Sequence, residues 1–231
     1  MFEEWTDLLP FDADAGPEAA TLAAAPSFAY IGRGLTATEF TQYVNAYHFG
    51  SIPPDFVVLH HTAIPSASWA PFPSGPRWDS DEQGLSISQI YQKRLKQLTA
   101  IKEYYRTRRS WSAGPHLFID ERWIWLMTPM YDPGIHAAQG NSYVRDGRLH
   151  YSVGIEVIGY YKLAVWPTPV AQLVGHAVAV LQQRLKTFDL KYQKFAGGIS
   201  SHRDYNKPEC PGAAISKEFY LQVIRDAAKK L

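Results

Sequence analysis

Asp55-Phe-Val-Val-Leu-His-His61 is the stretch whose reading decides the fold. Its apolar and β-branched run, closed off upstream by Pro53-Pro54, predicts a buried strand. Successive side chains of a strand point to opposite faces, so His60 and His61 cannot both serve one site. On periodicity alone, either histidine qualifies.

Upstream, Thr36 and Glu39 stand at capping-box spacing ahead of Phe40, Tyr43, Val44 and Tyr47, which predicts a short helix. Downstream, residues 64–84 hold four prolines together with Trp69 and Trp78 and have no helix or strand period. That reads as a long loop, and loops of this length are often functional. A helix over Ser88–Arg108 follows, with Ile90, Leu95, Leu98, Ile101 and Tyr105 near one stripe that should lie on a sheet.

His116–Ile119 and Trp123–Met127 flank Asp120-Glu-Arg122 as a hairpin would, and Tyr151–Ile158 alternates like a further strand. Residues 132–149 between them read as a second loop. Thr168-Pro169 is expected to cap and open a helix running to Leu185, and Ser216 to cap a last helix ending at Lys229-Lys230. Strands and helices so interleaved predict an α/β fold in one domain, a central mixed β-sheet flanked by helices. At 231 residues and 46% hydrophobic, the chain can bury one such core.

The start of the chain differs in kind. Glu3, Glu4, Asp7, Asp12, Asp14 and Glu18 precede the first basic residue, Arg33, so residues 1–35 read as an irregular acidic arm on a domain of residues 36–231. With a net charge of +1 overall, the domain itself is mildly basic. Its Lys and Arg form no dense stripe, which argues against a nucleic-acid groove, and a monomer is expected. Apolar runs fall well short of the roughly 18–20 residues that span a bilayer, so no membrane partner is expected. The acidic opening does not fit a signal peptide, which would leave the chain cytoplasmic until released or exported by another route.

The single cysteine, Cys210, lies between Pro208 and Pro211-Gly212, outside any apolar packing run, and eight residues after His202. A hydrolytic zinc site takes three protein ligands and keeps one position open, and imidazole and thiolate both suit it. His202, Cys210 and one histidine of the strand would complete such a set.

Five segments in order, Val57-Val-Leu-His-His-Thr-Ala63, Gly114-Pro-His-Leu-Phe-Ile119, Gly134-Ile-His-Ala-Ala138, Ser152-Val-Gly-Ile-Glu156 and His202-Arg-Asp-Tyr-Asn-Lys-Pro-Glu-Cys-Pro-Gly212, resemble the type 2 N-acetylmuramoyl-L-alanine amidases. That family includes phage lysozyme-like amidases and peptidoglycan recognition proteins. The resemblance spans residues 55–228. It implies one Zn2+ per chain held by His60, His202 and Cys210, bacterial peptidoglycan as partner, and cleavage of the amide between N-acetylmuramic acid and L-alanine. His61, facing the other way, is then structural.

The resemblance also implies Glu156 as acid and base, with His116 and His136 lining the substrate cleft. Where relatives carry a tyrosine before the histidine of the second segment, this chain has Pro115, so that proton route is absent. Where relatives place a Lys or Thr two residues before the last ligand, Pro208 stands here, and Lys207 is the nearest candidate to steady an oxyanion. Trp69 and Trp78, and Trp111 beside the long helix, are expected to offer aromatic faces to sugar or stem peptide, with Trp123 and Trp125 in the core.

Three roles compete. A non-catalytic peptidoglycan-binding module would lack the cysteine. A recycling amidase acting on soluble muropeptides inside the cell would usually carry aspartate in its place. A phage endolysin fits both the cysteine and the acidic start.

Overall fold

The computed structural model describes residues 27–231, and the six acids of the arm lie outside the described residues. Seven strands and four helices follow one another as β1 (Arg33–Leu35), α1 (Ala37–Ala46), β2 (Phe56–His61), α2 (Ile87–Arg108), β3 (Leu117–Ile119), β4 (Ile124–Leu126), β5 (Ser142–Arg145), β6 (Arg148–Val157), α3 (Thr168–Leu185), β7 (Ile199–Ser201) and α4 (Lys217–Ala228). The sheet order is β1-β4-β3-β6-β2-β7, with β5 paired to the first half of β6. Strands β3, β6, β2 and β7 run parallel, while β1 and β4 are antiparallel to their neighbours. The expected mixed sheet with helices on it is therefore what forms.

Helices sort to the two faces by the period-2 alternation of the strands. Val57 and Leu59 of β2 and Val153, Ile155 and Val157 of β6 pack with α1, α3 and α4 in the larger core. Phe118, Trp125 and Met127 pack with Ile90, Leu98 and Ile101 of α2 on the opposite face. Side chains at Phe56, Val58 and His60 therefore point to the side that α2 partly covers. No helix among the described residues is long and apolar enough to cross a membrane.

Helix starts follow their caps. Thr36 and Glu39 close a capping box on α1, and Ser86 with Gln89 closes another on α2, two residues earlier than the expected Ser88. At α3 the cap position is Pro167 and no side chain caps it; Thr168 and Pro169 are already helical. The proline ring, lacking an N–H, suits the first turn whichever residue precedes it.

Strands β1 and β5 fall in the expected arm and second loop, and β7 lies outside every predicted element. Three or four residues with at most one apolar side chain per face give no period to detect, and long-range pairing alone makes them strands.

The long loop is tied down by a charge cluster. Arg94 on α2, fully buried, bonds Glu82 through Nε and Nη2 at 2.8 and 2.7 Å and Glu121 through Nη1 and Nη2 at 2.8 Å each. Asp120 Oδ2 lies 2.9 Å from Nη1 and accepts bonds from both Trp78 Nε1 and Trp125 Nε1. One side chain thus joins the loop, α2 and the β3–β4 turn. Arg94→Met is expected to destabilise the fold by about 3–5 kcal/mol, the cost of stranding a buried charge. Equilibrium urea unfolding measures it, and a change under about 1 kcal/mol would show that Asp120 does not need its cation.

Candidate functional site

The register of the sheet assembles the site. His60 on β2 is the direct partner of Glu156 on β6, so two side chains stand side by side on the α2 face. Leu59 pairs with Ser201 at the end of β7, which places the next residue, His202, beside His60. There the chain turns into a short 3-10 segment, His202–Tyr205, its start held by Ser201 N donating to Asp204 Oδ2 at 2.9 Å.

Asn206 adopts a left-handed turn, φ 69°, and the chain folds back. Arg203 N donates to Cys210 O at 2.9 Å and Arg203 Nη2 to Gly212 O at 2.7 Å, so the loop carries Cys210 toward β2. Its Sγ accepts a bond from the backbone N–H of His61 at 3.4 Å.

Three donors converge as a result. One ligand atom each from His60, His202 and Cys210 lies within 4.8 Å of the other two, and His60 Nδ1 is 3.0 Å from His202 Nδ1. In a tetrahedral zinc shell, N and S donors stand about 3.4–3.6 Å apart, so this set fits such an ion. Burial first, and then the neighbouring His202 and His136, hold His60 well below the ordinary histidine range. It is therefore a neutral imidazole at pH 7, the form a metal binds. Glu156 Oε1 lies 3.7 Å from the same Nδ1.

His61 turns away, as the alternation requires. Its Nδ1 accepts a bond from Tyr161 N at 3.3 Å, and burial lowers its pKa to about 4.

Above the donors opens a cavity of about 340 Å³. Of the expected substrate contacts, His136 and Lys207 line it, as does Trp111. His116, Trp69 and Trp78 do not. His116 is fully buried, with Nδ1 accepting from Gly154 N at 2.9 Å and Nε2 bonded to Asp132 O at 3.0 Å, so both ring nitrogens are committed to backbone. Trp78 lies in the core against Trp125, and the Trp69 indole donates to Tyr161 at 3.2 Å. The aromatic wall instead comes from Tyr104 and Tyr105 at the end of α2, Trp111 after it, and Phe72 and Tyr160 opposite, with Arg109 among them. Tyr105 packs against the core under α2, as its place in the stripe predicts, and also lines the cavity, while Arg94 and Gln97 join the buried stripe.

Residues 50–213 match the family model described as N-acetylmuramoyl-L-alanine amidase. Among solved structures the chain is similar to wild-type PGRP-LB of Drosophila, at 18% identity and TM-score 0.51 over 77% of this chain and 82% of that one. It is also similar to the N-acetylmuramoyl-L-alanine amidase LysC of Clostridium intestinale URNW, at 16% identity and TM-score 0.47 over 87% of this chain and 98% of that one. No curated protein matches. The likeness to PGRP-LB is one of fold, whereas the family model covers well over half of the sequence, from the turn before β2 to the loop beyond Cys210. On that match the chain belongs to the N-acetylmuramoyl-L-alanine amidase family and is an enzyme of that activity.

Proposed function

We propose that the enzyme is zinc-dependent, with His60, His202 and Cys210 as ligands and Glu156 as the group that moves the proton. The convergence of those three donors at the foot of an open cavity, with a carboxylate beside them, carries the reading. When bound, zinc would lower the pKa of a water to about 7 and polarise the carbonyl of the scissile amide.

The chain's own residues do the rest. Glu156, on the strand next to His60, is placed to take a proton from water and pass it to the departing L-alanine nitrogen. Lys207, on the cavity wall, supplies positive charge toward the developing oxyanion. Tyr105 and Trp111 offer flat apolar faces on which a sugar or a stem peptide packs while water is displaced.

Metal analysis of the purified protein should find about one zinc per chain, with Zn–N near 2.0–2.1 Å and Zn–S near 2.3 Å by X-ray absorption. Digestion of purified wall should release new L-alanine amino ends and no new reducing sugar ends. Absence of zinc would remove the metal reading, and reducing ends without amino ends would remove the amidase one.

A lytic role on intact wall, as in a phage endolysin, is the finer part of this proposal. Cys210 supports it, because amidases that recycle soluble muropeptides usually carry aspartate at that place. Faster turnover of soluble muropeptides than of intact wall would oppose it.

A further inference from the structure

A chain of hydrogen bonds runs from His60 away from the donor set, and its far end settles its direction. Ser152 Oγ stands 2.6 Å from the carbonyl oxygen of Gly140, which can only accept, so the hydroxyl proton lies between them. Oγ is then the acceptor for His136 Nε2 at 3.2 Å. His136 is buried beside two other histidines, with one ring nitrogen toward Ser152 and the other toward His60. With its proton on Nε2, it turns a bare Nδ1 to His60 Nε2, 3.0 Å away. That nitrogen in turn carries the His60 proton. His60 Nδ1 is left with its lone pair, and it is the nitrogen that faces His202.

The placement of His136 is itself built. Asn141 Oδ1 accepts bonds from the backbone N–H of His136 at 2.8 Å and of Ala137 at 2.6 Å. Its ring lies flat on β6 at Gly154, where an added Cβ would meet His136 Cδ2 at 2.5 Å and Cγ at 2.6 Å. Ser152, Gly154 and Glu156 share one face of β6, so a single strand supplies the bond, the space and the carboxylate.

We propose that His136 is a positioning residue that, through Ser152 and the Gly140 carbonyl, presents the Nδ1 lone pair of His60 to a divalent metal ion. The assignment rests on His60 being a ligand. An outer partner of this kind orients the ring and raises its basicity as a donor.

Long-range 1H–15N correlation spectra of the wild-type protein, zinc-free and zinc-loaded, read the tautomers directly. The expected result is Nε2–H on both His60 and His136, and a proton on Nδ1 of His136 would overturn the relay. Zinc affinity by chelator competition gives the second readout. His136→Ala should bind zinc about 10- to 100-fold more weakly. His136→Gln, whose amide oxygen and NH2 are spaced much like the two ring nitrogens, should regain most of that loss. Gly154→Ala, which removes no hydrogen-bonding group, should also weaken binding by displacing the ring. His60→Ala separates the two readings. If it abolishes tight binding while His136→Ala binds as wild type does, the relay falls and the ligand assignment stands; if His60→Ala binds as wild type does, both fall.

Discussion

Cys210→Ser is expected to bring hydrolysis of peptidoglycan to background and to strip the protein of zinc, while it still folds and melts cooperatively, close to zinc-free wild type. The thiolate contributes its charge as well as a coordination bond, and a serine hydroxyl at neutral pH offers neither. The loss should exceed the roughly 100-fold that removing an outer partner of a ligand costs. The fold should survive because backbone bonds, not the sulfur, shape the loop. Cys210 N donates to Lys207 O at 3.0 Å, Gly212 N to Glu209 O at 2.8 Å, and Arg203 N to Cys210 O at 2.9 Å. His202→Ala should behave in the same way. Metal content by mass spectrometry, release from dye-labelled wall and a thermal melt check the three parts separately. Near-wild-type release from either variant would exclude zinc from the mechanism.

Glu156→Gln is expected to keep zinc and lose rate by roughly 10²- to 10⁴-fold, the usual contribution of a general acid-base group. The amide keeps the shape and hydrogen-bonding reach of the carboxylate but cannot accept the proton. A purely orienting role makes a different demand. Because Glu156 Oε1 is 3.7 Å from the Nδ1 that would face the ion, it could act by steadying that imidazole. The variant would then bind zinc about 10- to 100-fold more weakly, and excess zinc would restore much of the rate. Titrating zinc into the variant during turnover decides the matter, and rescue would take Glu156 out of the proton-transfer role.

The parts of this architecture that were legible in the sequence are those with local causes. Strand β2 is written in its apolar run, α1 in its capping box, α2 in its apolar stripe, and the β3–β4 hairpin in Asp120, whose Oδ1 accepts from the backbone N–H groups of Arg122 and Trp123 at 2.7 Å each. The donor trio was readable because strand alternation narrows the histidine pair to one per face and the resemblance selects His60.

What escaped was decided at long range. Trp78 sits in a stretch rich in proline and serine, which argues for exposure, yet a carboxylate 42 residues away draws its indole into the core. His116 looked like a cleft residue, but the backbone of Gly154, 38 residues on, claims one of its nitrogens. The relay behind His60 was invisible for the opposite reason. A serine on an alternating strand carries no mark of the carbonyl it will meet.

Arg94 and the aromatic wall share α2, and the distance between them matters. From Arg94 to Tyr104 the helix rises about 15 Å, so the fastening of the helix and its cavity-lining end are almost three turns apart. The three donors come from β2 and from the segment after β7, and none comes from α2. The anchor that fastens α2 and the proposed metal site are thus carried on separate stretches of chain. Loss of the Arg94 anchor would therefore loosen the helix at one end, while the residues that line the cavity sit at the other.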